Sequence, residues 1–345
     1  MQKNNILNKV FFGIGFAALV VLNGCGEPGV ESKQIKQIDF VDELNELSNN
    51  PLQVSDLKMV KSKHGRFFDV WFSEIMDYSK YSRYPDSMIA NMFNYWLQVN
   101  RPVFAAVQKH YSVNTEWKNS LDYQWSKLQS ELSNVPDPVL YSYFSQFSNY
   151  NTFVDTFKGK TLLGYSKEMF MNDTFALYKA LDVPSFYMRY NDPNQIPTLL
   201  IWNYLKSRFE AEHKINNMLS QAVFEGKIWA LLMHISDRDA PNLDLGYTAD
   251  EWAMMERDQG QMWRLILDQK ALYSTDFNLY RRYFVYGDQT FGAGIPQGCP
   301  PLIGNFIGYK IVSKYIDETD CSWDELFKTT DATKILRLSG YNPIK

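Results

Sequence analysis

The sequence predicts an α+β fold in which helices dominate and one small sheet sits among them. Three observations carry this reading. Thr248-Ala249-Asp250-Glu251 and Ser322-Trp323-Asp324-Glu325 have capping-box spacing, in which a hydroxyl caps the amide three residues on and the glutamate reaches back. Arg66–Tyr78 sets Phe67, Phe68, Val70, Trp71, Ile75 and Met76 at the spacing of an amphipathic helix. Between the helical halves, Val139–Phe147 and Thr152–Tyr165 are rich in Tyr, Phe, Val and Thr with partial alternation, the texture of strands.

Taken in order, the chain opens with Lys3 and Lys9 ahead of an apolar run, Val10–Leu22. That run has the length of a signal-peptide core and is short for a membrane span. It ends in Leu22-Asn23-Gly24-Cys25, an apolar residue three before a cysteine and a small one just before it. Residues 1–24 are therefore expected to be an export signal, with Cys25 the lipidated first residue of the mature chain. Several acyl chains, at about 0.8 kcal/mol per buried methylene, hold a protein firmly to a membrane. Residues 25–36 are polar, contain Pro28, Gly29 and Ser32, and read as a lipidated tether. Residues 37–345 are expected to form the globular domain.

Within that domain an extended piece is expected near Gln37–Phe40, then a polar helix from Val41. Further helices are expected over Ser87–Gln98, Arg101–His110 and Leu121–Leu132, the last stopped by Asn134-Val135-Pro136-Asp137-Pro138. The strands follow, joined through Ser148-Asn149-Tyr150-Asn151, with Met169–Met171 as a short third strand. From Ile196 the chain turns helical again, and Pro197 suits a first helical turn. The segment to His234 holds two helices, and one helix covers about Leu302–Ile316. Gly304 and Gly308 lie within it. Glycine there costs about 1 kcal/mol, which predicts close approach of another element.

Composition narrows the function. The chain is 45% apolar and 16% aromatic, enough to bury a full core and too apolar for disorder. The formal net charge is −4 and no Lys/Arg run stands out, which argues against nucleic acid. Beyond Cys25 there are two cysteines, Cys299 and Cys321. The helix between them keeps its ends roughly 20 Å apart, beyond the about 7 Å that a disulfide spans between Cα atoms. They are expected to stay unpaired.

No catalytic constellation is visible. The four histidines, His64, His110, His213 and His234, never take the HExxH spacing that sets two ligands on one helical face. His213 lies between Glu212 and Lys214, with Glu210 close by, and reads as part of a solvated face. His234 reads as a helix-end residue. There is no G-x-S-x-G elbow and no P-loop. Gly292–Gly298 reads as a loop, and Asp237/Asp239 and Asp317/Glu318 as surface pairs.

A series of short motifs carries a resemblance. Leu245-Gly246-Tyr247-Thr248 runs into Glu251-Trp252, then Gln261-Met262-Trp263 and Leu272-Tyr273-Ser274-Thr275-Asp276. Pro300–Gly304, Gly308-Tyr309-Lys310-Ile311-Val312, Tyr315 and the closing Ser339-Gly340-Tyr341-Asn342-Pro343 follow. Tyr187-Met188-Arg189-Tyr190 to Gln195-Ile196-Pro197 lies upstream. Together with Cys25 these resemble the gliding-motility lipoprotein family GldB of the Bacteroidota. That family is in turn similar to predicted zinc peptidases, which implies a zincin-like (metallopeptidase-like) single domain with a small β-sheet. The resemblance sets the HExxH place near Asn203-Tyr204-Leu205-Lys206-Ser207 and the later Glu-Gly at Glu225-Gly226. Both histidines and the catalytic glutamate are missing there. Asn203, Tyr204, Ser207 and Glu225 thus mark a vestigial site.

The resemblance implies a non-enzymatic accessory lipoprotein of the gliding and type IX secretion machinery. It would have no cofactor, no metal and no catalytic residue. It would be held in the cell envelope by its lipid, at the outer membrane or a periplasmic face, and touch other envelope proteins. Two alternatives stand beside it. One is a divergent zinc metallopeptidase using Glu225, His213 and a remote ligand. The other is a surface glycan-binding lipoprotein using Trp and Tyr platforms.

Overall fold

The computed structural model describes residues 32–344 apart from 82, 113–114, 149–150, 173–174, 185–186, 188–189, 237–244, 288 and 293. The expected export signal and Cys25 lie outside these residues, as do Asp237 and Asp239. Among the described residues, contacts are already made ahead of the first strand. The Lys33 amide donates to Ser126 Oγ and the Ile35 amide to Asp122 Oδ1, each at 2.9 Å.

Strand β1 (Lys36–Asp39) runs straight into helix α1 (Phe40–Leu47), because Asp39 ends the strand and caps the helix, accepting from the Asp42 amide. Helix α2 (Val54–His64) turns at Gly65 into α3 (Arg66–Val70). The predicted amphipathic helix from Arg66 is interrupted: residues Trp71–Ile75 form a π turn, with the Met76 amide reaching the Trp71 carbonyl at 2.9 Å. Helix α4 (Asp86–Tyr111) corrects another expectation, since Ser87–Gln98 and Arg101–His110 are one helix. Pro102 costs that helix an N–H. Trp96, Leu97, Phe104 and Val107 nevertheless form one buried stripe across it, and such tertiary packing outweighs a local breaker. Helix α5 (Glu116–Glu131) follows.

The sheet comprises β2 (Pro138–Tyr143), β3 (Thr152–Phe157) and β4 (Lys160–Ser166) with β1, in the order β1-β2-β4-β3. β1, β2 and β4 are parallel, and β3 is the antiparallel edge. The predicted strand Thr152–Tyr165 is therefore two. Lys158 (φ 51°) and Gly159 (φ 73°) make a two-residue left-handed turn that matches strand twist. Met169–Met171 adds no strand. Lys167–Met169 is a 3₁₀ turn whose Glu168 points inward to accept from the Ser145 amide (2.6 Å) and hydroxyl (2.8 Å).

Much of the aromatic content lies in the core against this sheet. Phe67 stacks on Tyr141 with centroids 3.8 Å apart, and Trp71 Nε1 donates to the Phe144 carbonyl at 2.9 Å. Phe40, Phe93, Trp96 and Phe104 complete the cluster.

The remaining helices are α6 (Ala176–Ala180), α7 (Ile196–Phe209), α8 (Met218–Ile235), α9 (Ala249–Asp268), α10 (Phe277–Tyr280), α11 (Ile303–Thr319), α12 (Trp323–Lys328) and α13 (Ala332–Ser339). Both predicted capping boxes form, at Thr248 for α9 and Ser322 for α12. α8 is buried on nearly every side, as an all-round apolar helix must be. α11 crosses it at the predicted close approach. A Cβ on Gly308 would sit 1.7 Å from the Ala222 carbonyl oxygen, and one on Gly226 would sit 2.2 Å from the Gly308 carbonyl carbon. Gly304 instead meets the Phe284 ring. Cys299 and Cys321 are both free thiols. No helix among the described residues is long and apolar enough to cross a membrane.

Candidate functional site

A groove of about 390 Å³ lies where α7 passes the edge strand β3, with α3 and its π turn as the other wall. Asn203 and Ser207 of α7 line it, and so do Lys206 and Glu210. From the opposite wall come Arg66, Val70, Glu74 and Ile75, and from the strand Thr152–Asp155. Asn203 Nδ2 donates to Thr152 Oγ1 at 2.6 Å, tying α7 to the strand. Arg66 Nε donates to Asp155 at 2.7 Å, tying α3 to its other face. Tyr204 is buried away from the groove against Trp125, at 4.9 Å between centroids.

Behind the groove sits Glu225 on α8, only 6% exposed. Its position follows from the glycine crossing beside it, since Gly226 is pressed on Gly308. Glu225 Oε2 accepts from Trp202 Nε1 at 3.0 Å and Oε1 from Lys206 Nζ at 3.2 Å. Trp202 and Lys206 are one helical turn apart on α7, so they share a face. The Lys206 ammonium also lies 5.0 Å from the centre of the Trp202 ring. Burial pushes the Glu225 carboxyl up, while Lys206 and the indole N–H hold it down. Of the residues marked in the sequence, Asn203 and Ser207 thus reach the groove, Tyr204 packs in the core, and none of the three meets Glu225. The partners of Glu225 were not singled out in the sequence. Their only sequence signal is the i, i+4 spacing of a Trp and a Lys opposite a buried Glu.

His213 is a correction: it is not on a solvated face. It follows α7 in a buried turn, packed on Phe224. Its Nδ1 lies 2.8 Å from the Phe209 carbonyl, which can only accept, so Nδ1 donates. Nε2 is then the acceptor for Lys227 Nζ at 2.9 Å. Lys227 also donates to the Thr329 carbonyl at 2.6 Å. Residues 225 and 227 lie roughly 200° apart around α8. The helix thus turns Glu225 toward α7 and Lys227 toward His213 and the end of α12. Among the described residues, no three His, Cys, Asp or Glu side chains gather closely enough to hold a metal ion.

Burial brings the Lys227 ammonium down from 10.5 to about 7. Its folded-state pKa lies below its unfolded one, so the unfolded chain carries the extra proton between those values. Stability is expected to rise with pH from 7 upward, by at most about 1.4 kcal/mol per pH unit for one proton. Burial raises the Cys299 thiol to about 12, which offsets that slope above pH 9 or so. Denaturant melts between pH 7 and 8.5 check this, and Lys227→Met is expected to flatten the slope.

His234 extends from the last turn of α8 and lies 2.9 Å from Glu131. Asp317 and Glu318 are exposed.

Comparison with known proteins adds one match. Residues 27–343 match the family described as gliding motility protein GldB. No curated protein and no solved structure matches the chain. A match over nearly the whole length is more than a shared motif, and the chain belongs to the GldB family of gliding motility proteins.

Proposed function

We propose that this chain is a lipid-anchored, non-enzymatic accessory component of the gliding and type IX secretion machinery, built on a zincin-like scaffold that has lost its metal centre. It is anchored through Cys25 in the cell envelope, at the outer membrane or a periplasmic face, and acts by contact with other envelope proteins. The family match supports the motility role. The single observation that carries the non-enzymatic reading is what Glu225 meets. A zinc peptidase helix presents two imidazoles one turn apart. Here the pair one turn apart that faces the Glu225 carboxylate is Trp202 and Lys206, one residue ahead of the Asn203 and Ser207 that the resemblance marked. An indole N–H has no lone pair to donate to a metal, and an ammonium repels one. The donor set therefore does not fit zinc. The Lys206 ammonium instead supplies positive charge to the buried carboxylate.

Restoring the imidazoles tests this. Trp202→His/Lys206→His, with Glu225 as third ligand, is expected to take up about one zinc per chain, while the parent purified without a histidine tag takes up none. Stoichiometric zinc on the parent would overturn the non-enzymatic reading. A double variant that folds but stays empty would count against the zincin-like scaffold.

A further inference from the structure

The outer edge of β3 is an unused row of backbone groups. The Ser166 amide donates to the Asn151 carbonyl at 2.8 Å, so Asn151 and Ser166 form a hydrogen-bonded pair. Such pairs alternate along an antiparallel ladder. With Thr152 opposite Tyr165 and Phe157 opposite Lys160, the odd residues Phe153, Asp155 and Phe157 bond to β4. The even residues Thr152, Val154 and Thr156 aim their N–H and C=O outward. The Thr152 amide is satisfied by Asn151 Oδ1 at 2.9 Å. Among the described residues, nothing bonds the outward groups of Val154 and Thr156.

The groove lies along this edge, not on one face of the strand. Its lining takes Asp155, tied to α3 through Arg66, and Thr152, tied to α7 through Asn203, from opposite faces. Each wall carries one ion pair and one unpaired carboxylate. Asp155 is paired with Arg66, and Glu225 with Lys206. Glu74 on the π turn and Glu210 at the end of α7 are exposed and have no ion-pair partner among the described residues. Phe157, 44% exposed, stands at the end of the strand as an apolar contact.

We infer that this groove binds an extended segment of a partner protein as a fifth strand beside β3, with two adjacent basic side chains meeting Glu74 and Glu210. Strand addition of this kind takes affinity from main-chain bonds and specificity from alternate side chains. Neighbouring residues of a strand project to opposite faces, and the two free carboxylates stand on opposite walls. A Lys-Lys or Lys-Arg pair therefore fits where singly spaced charges do not. The inference rests on the contact-making role proposed above and gives it a location and a ligand chemistry.

The test uses full-length protein in detergent micelles and two labelled probes, acetyl-Thr-Val-Lys-Lys-Val-Thr-amide and its Glu-Glu counterpart. The basic probe is expected to bind at least tenfold tighter and to slow hydrogen exchange at the Val154 and Thr156 amides. Glu74→Lys/Glu210→Lys, both on exposed side chains, is expected to reverse the preference. Val154→Pro removes an N–H that bonds nothing, a change that edge strands tolerate, and is expected to weaken binding at least tenfold. Equal binding of the two probes, or none, overturns the inference. Binding that leaves both amides unprotected and survives Val154→Pro is plain charge attraction and overturns it as well. Cleavage of the bound probe would instead sink the non-enzymatic reading and leave the groove standing.

Discussion

Gly308→Ala is expected to lower stability by at least about 3 kcal/mol and to leave little folded protein at 37 °C. The added methyl meets the Ala222 carbonyl, oxygen at 1.7 Å and carbon at 2.4 Å. Both atoms are backbone, so no rotamer change relieves the clash and two buried helices must separate. Overpacking a core costs roughly 1–3 kcal/mol even where side chains can yield. The gain in helix propensity from Gly to Ala returns only about 1 kcal/mol. Gly226→Ala meets the same crossing from the other side and is expected to rank next. Gly304→Ala is expected to be milder, because it presses on the Phe284 ring, which can swing. Thermal melts of the three variants give the order. A Gly308→Ala chain that melts like the parent would mean that α8 and α11 do not cross as described.

The second large effect is expected from Lys206→Met. This leaves the Glu225 carboxylate buried with one indole N–H as its only partner among the described residues, and breaking one side of a buried pair costs about 3–5 kcal/mol. Lys206 is partly exposed, at 28% of its side chain, so the lower figure applies. For a domain of this size that is a fall in Tm of roughly 4–6 °C. The sign of the pH dependence follows from Glu225. Its folded-state pKa is already raised, and losing Lys206 raises it further. A raised carboxyl favours the fold below its unfolded pKa and loses that advantage as pH rises through the folded value. The deficit of the variant is therefore expected to be small near pH 4.5 and to grow toward pH 7. Lys206→Met/Glu225→Gln is expected to recover most of the loss. Melts of the two single variants and the double give the coupling directly. Additive losses would show that the two groups do not act as a pair.

These two sites also show what a sequence can and cannot reveal. The Gly304/Gly308 spacing announced a close approach, because an internal helical glycine needs a packing reason. It did not name Ala222 or Phe284 as the neighbours, since those lie far away in the chain. The capping boxes at Thr248 and Ser322 were legible because every atom involved lies within four residues. The turn at Lys158-Gly159 was not, because lysine is a poor advertisement for a left-handed backbone. Pro102 misled in the opposite direction: its local signal to stop a helix was real, but a stripe of buried aromatic and aliphatic residues overrode it. The groove follows the same pattern. Asn203, Ser207 and Glu225 were marked by the family resemblance, not by any spacing of their own. Trp202, Lys206, Glu74 and the free edge of β3 become neighbours only when a sheet, an antiparallel hairpin and three helices are assembled together.

The pairing of Lys206 with Glu225 has a consequence for how this chain reaches its folded state. A core whose charge balance relies on a bound ion matures only when that ion arrives, and chelation can undo it. Here the balancing cation is a side chain, made by the ribosome together with the carboxylate it serves. This joint of the molecule needs no inorganic supply, and depletion of metals leaves it untouched.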